Sequence, residues 1–231
     1  TPSSSSATTV ESTTFVFWSG SNGPNAMPAD GGQAVEVAFG DSAAVLRRFA
    51  SEPIASAVWR RSLAPDVDAE VQALRPGAPV RVVVPVDELR TDVAVLAALD
   101  GWAHPFPQAL ARDLRQLLAL HALLRPGVCR RLRIERLVDD GCRRFHADHV
   151  ASRLICTYAG AGTECLPGSA IDPHRTADGS NDHVLDPEAV WRCANGWVLL
   201  MRGTLGSGPA QFHRSPPRDP EGPRVLVAID G

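Results

Sequence analysis

The chain has 231 residues, 44% hydrophobic and 21% charged, with a formal net charge of −3. That balance allows a buried core without disulfide or metal staples, and it argues against duplex nucleic acid as a partner. Five cysteines, Cys129, Cys142, Cys156, Cys165 and Cys193, show no CxxC spacing, which argues against a disulfide scaffold or zinc finger and for a reducing, cytoplasmic setting.

In chain order, residues 1–33 are polar, small and Gly/Pro-rich apart from Phe15-Val16-Phe17-Trp18. They read as a mostly disordered tail that docks once through those aromatics. Thr1 to Thr14 lacks the basic and apolar regions of a signal peptide, and no apolar run is long enough to span a bilayer. Residues 34–127 read as a helical region. Asp41 caps a segment with Ala43, Val45, Leu46 and Phe49 at helical spacing. Pro53 to Leu63 repeats the pattern with Ile54, Val58 and Trp59, and Pro65 to Leu74 does so more weakly. Arg81 to Val86 reads as a short strand. Asp87 to Leu99 and Pro107 to Leu124 carry the strongest helical signals, the second ended by Pro126-Gly127, with His121 packed among its leucines.

After Gly127 the period changes to two. Val128 to Val138 alternates apolar with charged residues, its arginines read as a solvent face, and Val150 to Tyr158, Trp197 to Met201 and Val225 to Ile229 are short apolar runs between turn residues. The fold class expected is α+β: the helical region packed on a double-stranded β-helix barrel (jelly-roll or cupin-like) over 128–231, with 34–231 as one compact unit. The helices either roof the barrel or form a homodimer surface.

His146 and Asp148 lie two apart on an extended segment, so both point to one face and can share a metal. His213 follows a Gly-rich turn. Two histidines and one carboxylate with open positions opposite make the facial triad of non-haem Fe(II) oxygenases. Arg224 comes eleven residues after His213 and leads the last strand. The ordered set His146-x-Asp148, His213, Arg224 resembles the Fe(II)- and 2-oxoglutarate-dependent dioxygenases. The resemblance implies that His146, Asp148 and His213 hold Fe(II), and that Arg224 pairs with the distal carboxylate of 2-oxoglutarate through its planar donor fork. Tyr158, the one tyrosine, is either a second hydrogen bond to that carboxylate or a plain barrel tyrosine.

Longer strings, Cys142 to Asp148, Arg153 to Glu164, His213 to Pro217 and Ala57 to Arg61, resemble a bacterial family of unknown function, the domain-of-unknown-function family eighteen twenty-six. Cys165 stands where that pattern leads one to expect Trp, and Arg202 where it leads one to expect Lys. The resemblance implies a link to zinc homeostasis through neighbouring genes for zinc-related GTPase metallochaperones. Three readings stay open: an Fe(II)/2-oxoglutarate hydroxylase-type dioxygenase; a non-catalytic cupin-like protein binding Zn(II) through a closed ligand set; and a hydrolase or isomerase that uses the triad without Arg224. The substrate, a small molecule or a protein side chain, is not legible.

Other residues have plainer readings. Arg153 reads as a rim residue, and His149 points away from Asp148. Cys142 reaches the metal only if the chain bends sharply. The loop 168–190, with Asp172, His174, Asp178, Asp182, His183 and Asp186, reads as a solvated, partly mobile segment, with a lid or a second metal loop as the alternative. The turn with Gly160 and Gly162 has no following helix or Lys and is not a phosphate loop.

Overall fold

The computed structural model describes residues 36–74, 81–86, 91–137, 141–172, 174–175, 180–217 and 223–231. The expected tail lies outside them. In chain order the strands are β1 (Val37–Gly40), β2 (Ser56–Trp59), β3 (Arg81–Val86), β4 (Arg130–Leu137), β5 (Ser152–Ala159), β6 (Glu164–Leu166), β7 (Trp191–Arg192), β8 (Val198–Arg202), β9 (Phe212–Arg214) and β10 (Arg224–Asp230). The helices are α1 (Arg48–Ser51), α2 (Pro65–Gln72), α3 (Thr91–Leu99) and α4 (Gln108–Leu124).

Seven strands form one sheet in the order β1-β2-β8-β5-β10-β4-β3, and three form a second in the order β7-β6-β9. Only the β1–β2 pair is parallel among these described strands. A bridge between His146 and His213 carries the small sheet one segment further. From β4 onward the chain crosses between the sheets: β4 in the large one, His146 in the small, β5 large, β6 and β7 small, β8 large, β9 small, β10 large. The result is a mixed α+β fold with a large, mainly antiparallel sheet, consistent with a jelly roll.

Side-chain parity divides the interior. On the large sheet Leu132, Ile134, Leu154, Cys156, Tyr158, Val198, Leu200, Val225, Val227 and Ile229 face the helices and join one apolar core with Leu99, Trp102, Leu110, Leu114 and Leu117. Their neighbours of opposite parity, Ile155, Leu199, Met201, Leu226 and Ala228, meet Cys165, Trp191 and Cys193 of the small sheet. Successive strand residues point to opposite faces, so the large sheet is buried on both sides, with helices on one and the small sheet on the other. That double burial explains the near-continuous apolar runs of β8 and β10.

The helix layer follows from local sequence. In α4, Leu110, Leu114, Leu117, Leu118 and His121 are buried on one stripe, and its first turn is capped by Glu70 of α2, whose carboxylate accepts from Ala109 N (3.0 Å) and Leu110 N (2.8 Å). His121 is fully buried, accepts from Arg130 Nε at 3.2 Å, and is pushed down to about pKa 4 by burial and then by the Arg130 charge.

Several expectations change. Beside its helices, the region 34–127 supplies three strands to the large sheet. Pro53 to Leu63, expected as a helix, contains β2: Ala57 faces the helical core and Val58 the inter-sheet core, and pairing with β1 and β8 overrides a local helical spacing. The cap of the first helical turn is Ser42, which accepts from Ala44 N, while Asp41 pairs with Arg60. The charged face of β4 is a solvent face only at Arg131, which is exposed; Arg133 and Glu135 line a cavity, because the small sheet curls over that part.

Candidate metal centre

β9 and the segment at His146 are held antiparallel by two backbone hydrogen bonds, His146 N to His213 O (3.0 Å) and His213 N to His146 O (2.9 Å). Residues directly opposed in such a pair share a face, and the two imidazole centroids are 4.6 Å apart. Asp148, two residues on, returns to the same face. Its main chain is fixed by Thr204 N, which donates to Asp148 O at 2.8 Å. Gly203 permits that approach, since a Cβ there would fall 2.5 Å from Asp148 O and 2.3 Å from Val150 O.

His213 Nε2 lies 3.1 Å from Asp148 Oδ2, and His146 Nε2 lies 3.6 Å from Asp148 Oδ1. One ligand atom from each of the three residues lies within 4.8 Å of the others. With metal–ligand bonds of about 2.1 Å, adjacent ligand atoms sit about 3.0 Å apart in an octahedron and about 3.4 Å apart in a tetrahedron. The tautomers fit as well. His146 Nδ1 is 2.8 Å from Arg144 O and His213 Nδ1 is 3.4 Å from Gln211 O. Each Nδ1–H therefore faces a backbone carbonyl and leaves Nε2 as the metal-facing lone pair. The three residues fit a divalent cation, and the set is that of a two-histidine-one-carboxylate site.

Electrostatics favour the metal-binding forms of Asp148 and His213, though not of His146. Burial pushes the Asp148 carboxyl up, but hydrogen bonds with His146 and His213 and the charge of Arg153 outweigh it and hold the group well below the usual carboxylate range. Burial lowers His213 below an ordinary histidine, and the hydrogen bond to Asp148 only partly opposes this. More exposed, His146 is raised by its hydrogen bond to Asp148. Asp148 is thus an anion at neutral pH, as a ligand must be.

All three residues line one cavity of about 230 Å³, shared with Arg153, Arg133, Glu135 and Arg224. Arg224 is buried and donates to Thr163 Oγ1 (2.7 Å), Ser215 Oγ (3.1 Å) and Thr157 Oγ1 (3.4 Å). Among the described residues no carboxylate is hydrogen-bonded to it, and its Nε is buried without a partner. Burial pushes Arg224 down to about pKa 10 although the Glu135 charge opposes the shift, so it remains a cation at neutral pH. A buried cation held by neutral hydroxyls among the described residues, at the wall of a cavity, is an arrangement that suits an anion.

The remaining candidates separate by parity. Tyr158 does not reach the cavity. It belongs to the helix-facing set of β5, and its hydroxyl donates to Asp113 Oδ2 of α4 at 2.5 Å, because Arg153, Ile155 and Thr157 occupy the cavity-facing positions. Thr157 takes the place next to Arg224 expected for Tyr158. Arg153 is not a rim residue: it is buried beside Asp148. His149 is exposed, with Nδ1 3.0 Å from Thr204 Oγ1. Cys142 lines the cavity, with Sγ 3.5 Å from His146 Nδ1 on the side away from the metal-facing nitrogen. The described part of the loop 168–190 lies over the outer face of the small sheet, where Ala170 and Ile171 pack with Phe145 and Leu166. His183, expected in a solvated loop, is fully buried, with Nε2 2.9 Å from Phe145 O; Asp178 falls outside the described residues. Sequence reasoning did not find Thr157, Thr163 and Ser215 as partners of Arg224. Only the alternation of β5 against Arg153 could have indicated Thr157.

The family model described as "Protein of unknown function (DUF1826)" matches residues 40–230. The chain belongs to this family. The matched DUF1826 span includes His146, Asp148 and His213. No curated protein matches the sequence. Among solved structures the DUF1826 chain is similar to a dioxygenase for auxin oxidation from rice, with 14% identity, 85% of this chain and 82% of that one covered, and a TM-score of 0.49. It is also similar to dioxygenase for auxin oxidation 1 from Arabidopsis thaliana in complex with 2-oxoglutarate (11% identity, 85% and 92% covered, TM-score 0.47). A third is a Pseudomonas putida prolyl-4-hydroxylase (14% identity, 81% and 96% covered, TM-score 0.42). At these scores the likeness does not itself assign an activity. No helix among the described residues is long and apolar enough to cross a membrane.

Proposed function

We propose that this DUF1826 protein is an Fe(II)- and 2-oxoglutarate-dependent dioxygenase of the hydroxylase type, built on a double-stranded β-helix. The observation that carries the reading is the sharing of one cavity by an open two-histidine-one-carboxylate triad and a buried arginine that has no carboxylate among its described hydrogen-bonded partners. Structural zinc takes a fourth protein ligand, whereas three converge here among the described residues, which favours an open site.

In this reading His146, Asp148 and His213 hold the metal on one face, and the backbone carbonyls of Arg144 and Gln211 orient the two imidazoles. Arg224 receives the distal carboxylate of 2-oxoglutarate, with Thr163, Thr157 and Ser215 keeping its fork in place. Leu226 and Ile155 line the same cavity and limit water around the charged groups. Bound there, Fe(II) with its co-substrate supplies the oxidative chemistry that no side chain of this set can perform. The reaction consumes dioxygen and 2-oxoglutarate and releases succinate and carbon dioxide.

The test is equilibrium dialysis of 2-oxoglutarate against protein loaded anaerobically with Fe(II). Retention of about one equivalent, lost in His213→Ala and in Arg224→Met, is expected. Retention independent of both residues contradicts the assignment.

A further inference from the structure

Beyond the triad, Arg153 on the cavity wall belongs to an ionic chain that runs from Asp148 to Asp230 on the large sheet. Arg153 projects from β5 with its side chain 10% exposed. Its Nη1 lies 2.5 Å from Asp148 Oδ2 and its Nε lies 2.5 Å from Asp230 Oδ1 on the adjacent strand β10. Asp230 is equally buried, and its other oxygen is 3.7 Å from Arg131 of β4. One planar guanidinium therefore ties the carboxylate of the triad to a carboxylate on a strand that runs through the middle of the large sheet. The rigid element at the far end matters, because Asp148 itself sits in an irregular segment between His146 and β5.

We infer that Arg153 is a positioning residue for the metal centre: paired at once with Asp148 and Asp230, it fixes where the Asp148 carboxylate stands relative to the two imidazoles. This rests on the metal-centre reading above. A carboxylate on an irregular segment without that tie swings away from the point where the two imidazole nitrogens converge, and the triad loses its geometry. Asp230 completes the device. It anchors the guanidinium to β10 and offsets its charge, so that a cation can stand beside a metal site without a net opposing charge. A lysine cannot reproduce it, since an ammonium is a point charge without a fork of fixed geometry.

Charge and position predict opposite signs, which makes the inference testable without turnover. The measurement is the affinity of the metal-free protein for Mn(II) alone, by electron paramagnetic resonance of the unbound ion, with far-ultraviolet circular dichroism to establish folding. Arg153→Gln removes a positive charge next to the ligand. If charge were the whole role, this variant would bind Mn(II) more tightly than wild type. Arg153→Lys keeps the charge and loses the fork, so charge alone predicts unchanged binding. Positioning predicts weaker binding in both, by about 10- to 100-fold, as for other outer-shell partners of metal ligands. Wild-type affinity in Arg153→Lys, or tighter binding in Arg153→Gln, overturns the inference while leaving the metal centre standing. Failure of the wild-type protein to bind Mn(II) overturns the metal centre and the role of Arg153 with it.

Discussion

Arg61 and Arg224 are two buried arginines for which the structure predicts unequal responses to the same substitution. Arg61 donates to both oxygens of Asp113, at 2.6 and 2.7 Å, with side-chain exposures of 12% and 10%. Burial alone would lower its pKa, but the Asp113 hydrogen bond and the charges around it together outweigh that and raise it. Arg61→Met leaves Asp113 buried with, among the described residues, the Tyr158 hydroxyl alone, and breaking such a pair costs about 3–5 kcal/mol. Arg224 has no such partner among the described residues. Its folded pKa of about 10 lies well below the ordinary arginine value, chiefly through burial, so at neutral pH the fold carries the charge at a cost that is relieved only as pH rises through 10. At 1.36 kcal/mol per pKa unit that cost is about 3 kcal/mol. Arg224→Met removes it and forfeits three hydrogen bonds from a charged donor, about 1.5–3 kcal/mol each, so relief of the burial cost offsets part of the loss and no buried carboxylate is stranded. Urea denaturation of the metal-free proteins should therefore place Arg224→Met closer to wild type than Arg61→Met. Adding 2-oxoglutarate to the Mn(II)-loaded proteins should raise the midpoint of wild type further by mass action and not that of Arg224→Met. Equal destabilisation by both substitutions would make Arg224 a structural cation and refute its role as an anion receptor.

Three further outcomes follow from the geometry. The folded pKa of His121 is about 4 against an ordinary 6.5, so the unfolded chain binds more protons between those values. Stability is fully present above pH 6.5 and falls as pH drops towards 4, by about 3 kcal/mol at 1.36 kcal/mol per pKa unit, and His121→Gln should flatten that slope in denaturation midpoints measured across the range. Tyr158→Phe removes a hydrogen bond to a buried carboxylate and should cost about 1.5–3 kcal/mol in urea denaturation while leaving 2-oxoglutarate affinity unchanged; a lost affinity would return Tyr158 to the cavity. Gly203→Ala places a Cβ against Asp148 O and should weaken Mn(II) binding at least about 10-fold by moving the loop that carries the ligand, whereas an unchanged affinity would show that the close approach is dispensable.

What could be seen in the sequence was local. β4, β5, β8 and β10 announce themselves by alternation or apolar runs, and α3 and α4 by helical spacing. His146 and Asp148 are legible as a pair because two residues of strand set their common face. What escaped depends on pairing at a distance. β6 and β7 are too short to leave a periodic window, and β2 carries a helical spacing that its neighbours β1 and β8 override. Arg153 and Asp230 are 77 residues apart, so nothing near either one signals the other. The side of β5 on which Tyr158 lies becomes legible only once one residue of that strand is known to face the cavity. Arg133 of β4 looks solvated in sequence because its cover, the small sheet, is assembled from segments more than a dozen residues away.

The central claim is one divalent metal held by His146, Asp148 and His213 and open to 2-oxoglutarate, and an anaerobic optical titration with Fe(II) and then 2-oxoglutarate tests it most directly. A weak visible charge-transfer band should appear and saturate at about one equivalent of each, and it should be absent in His213→Ala. Stoichiometric zinc that resists chelation, with no band and no 2-oxoglutarate affinity in the wild-type protein, would contradict it.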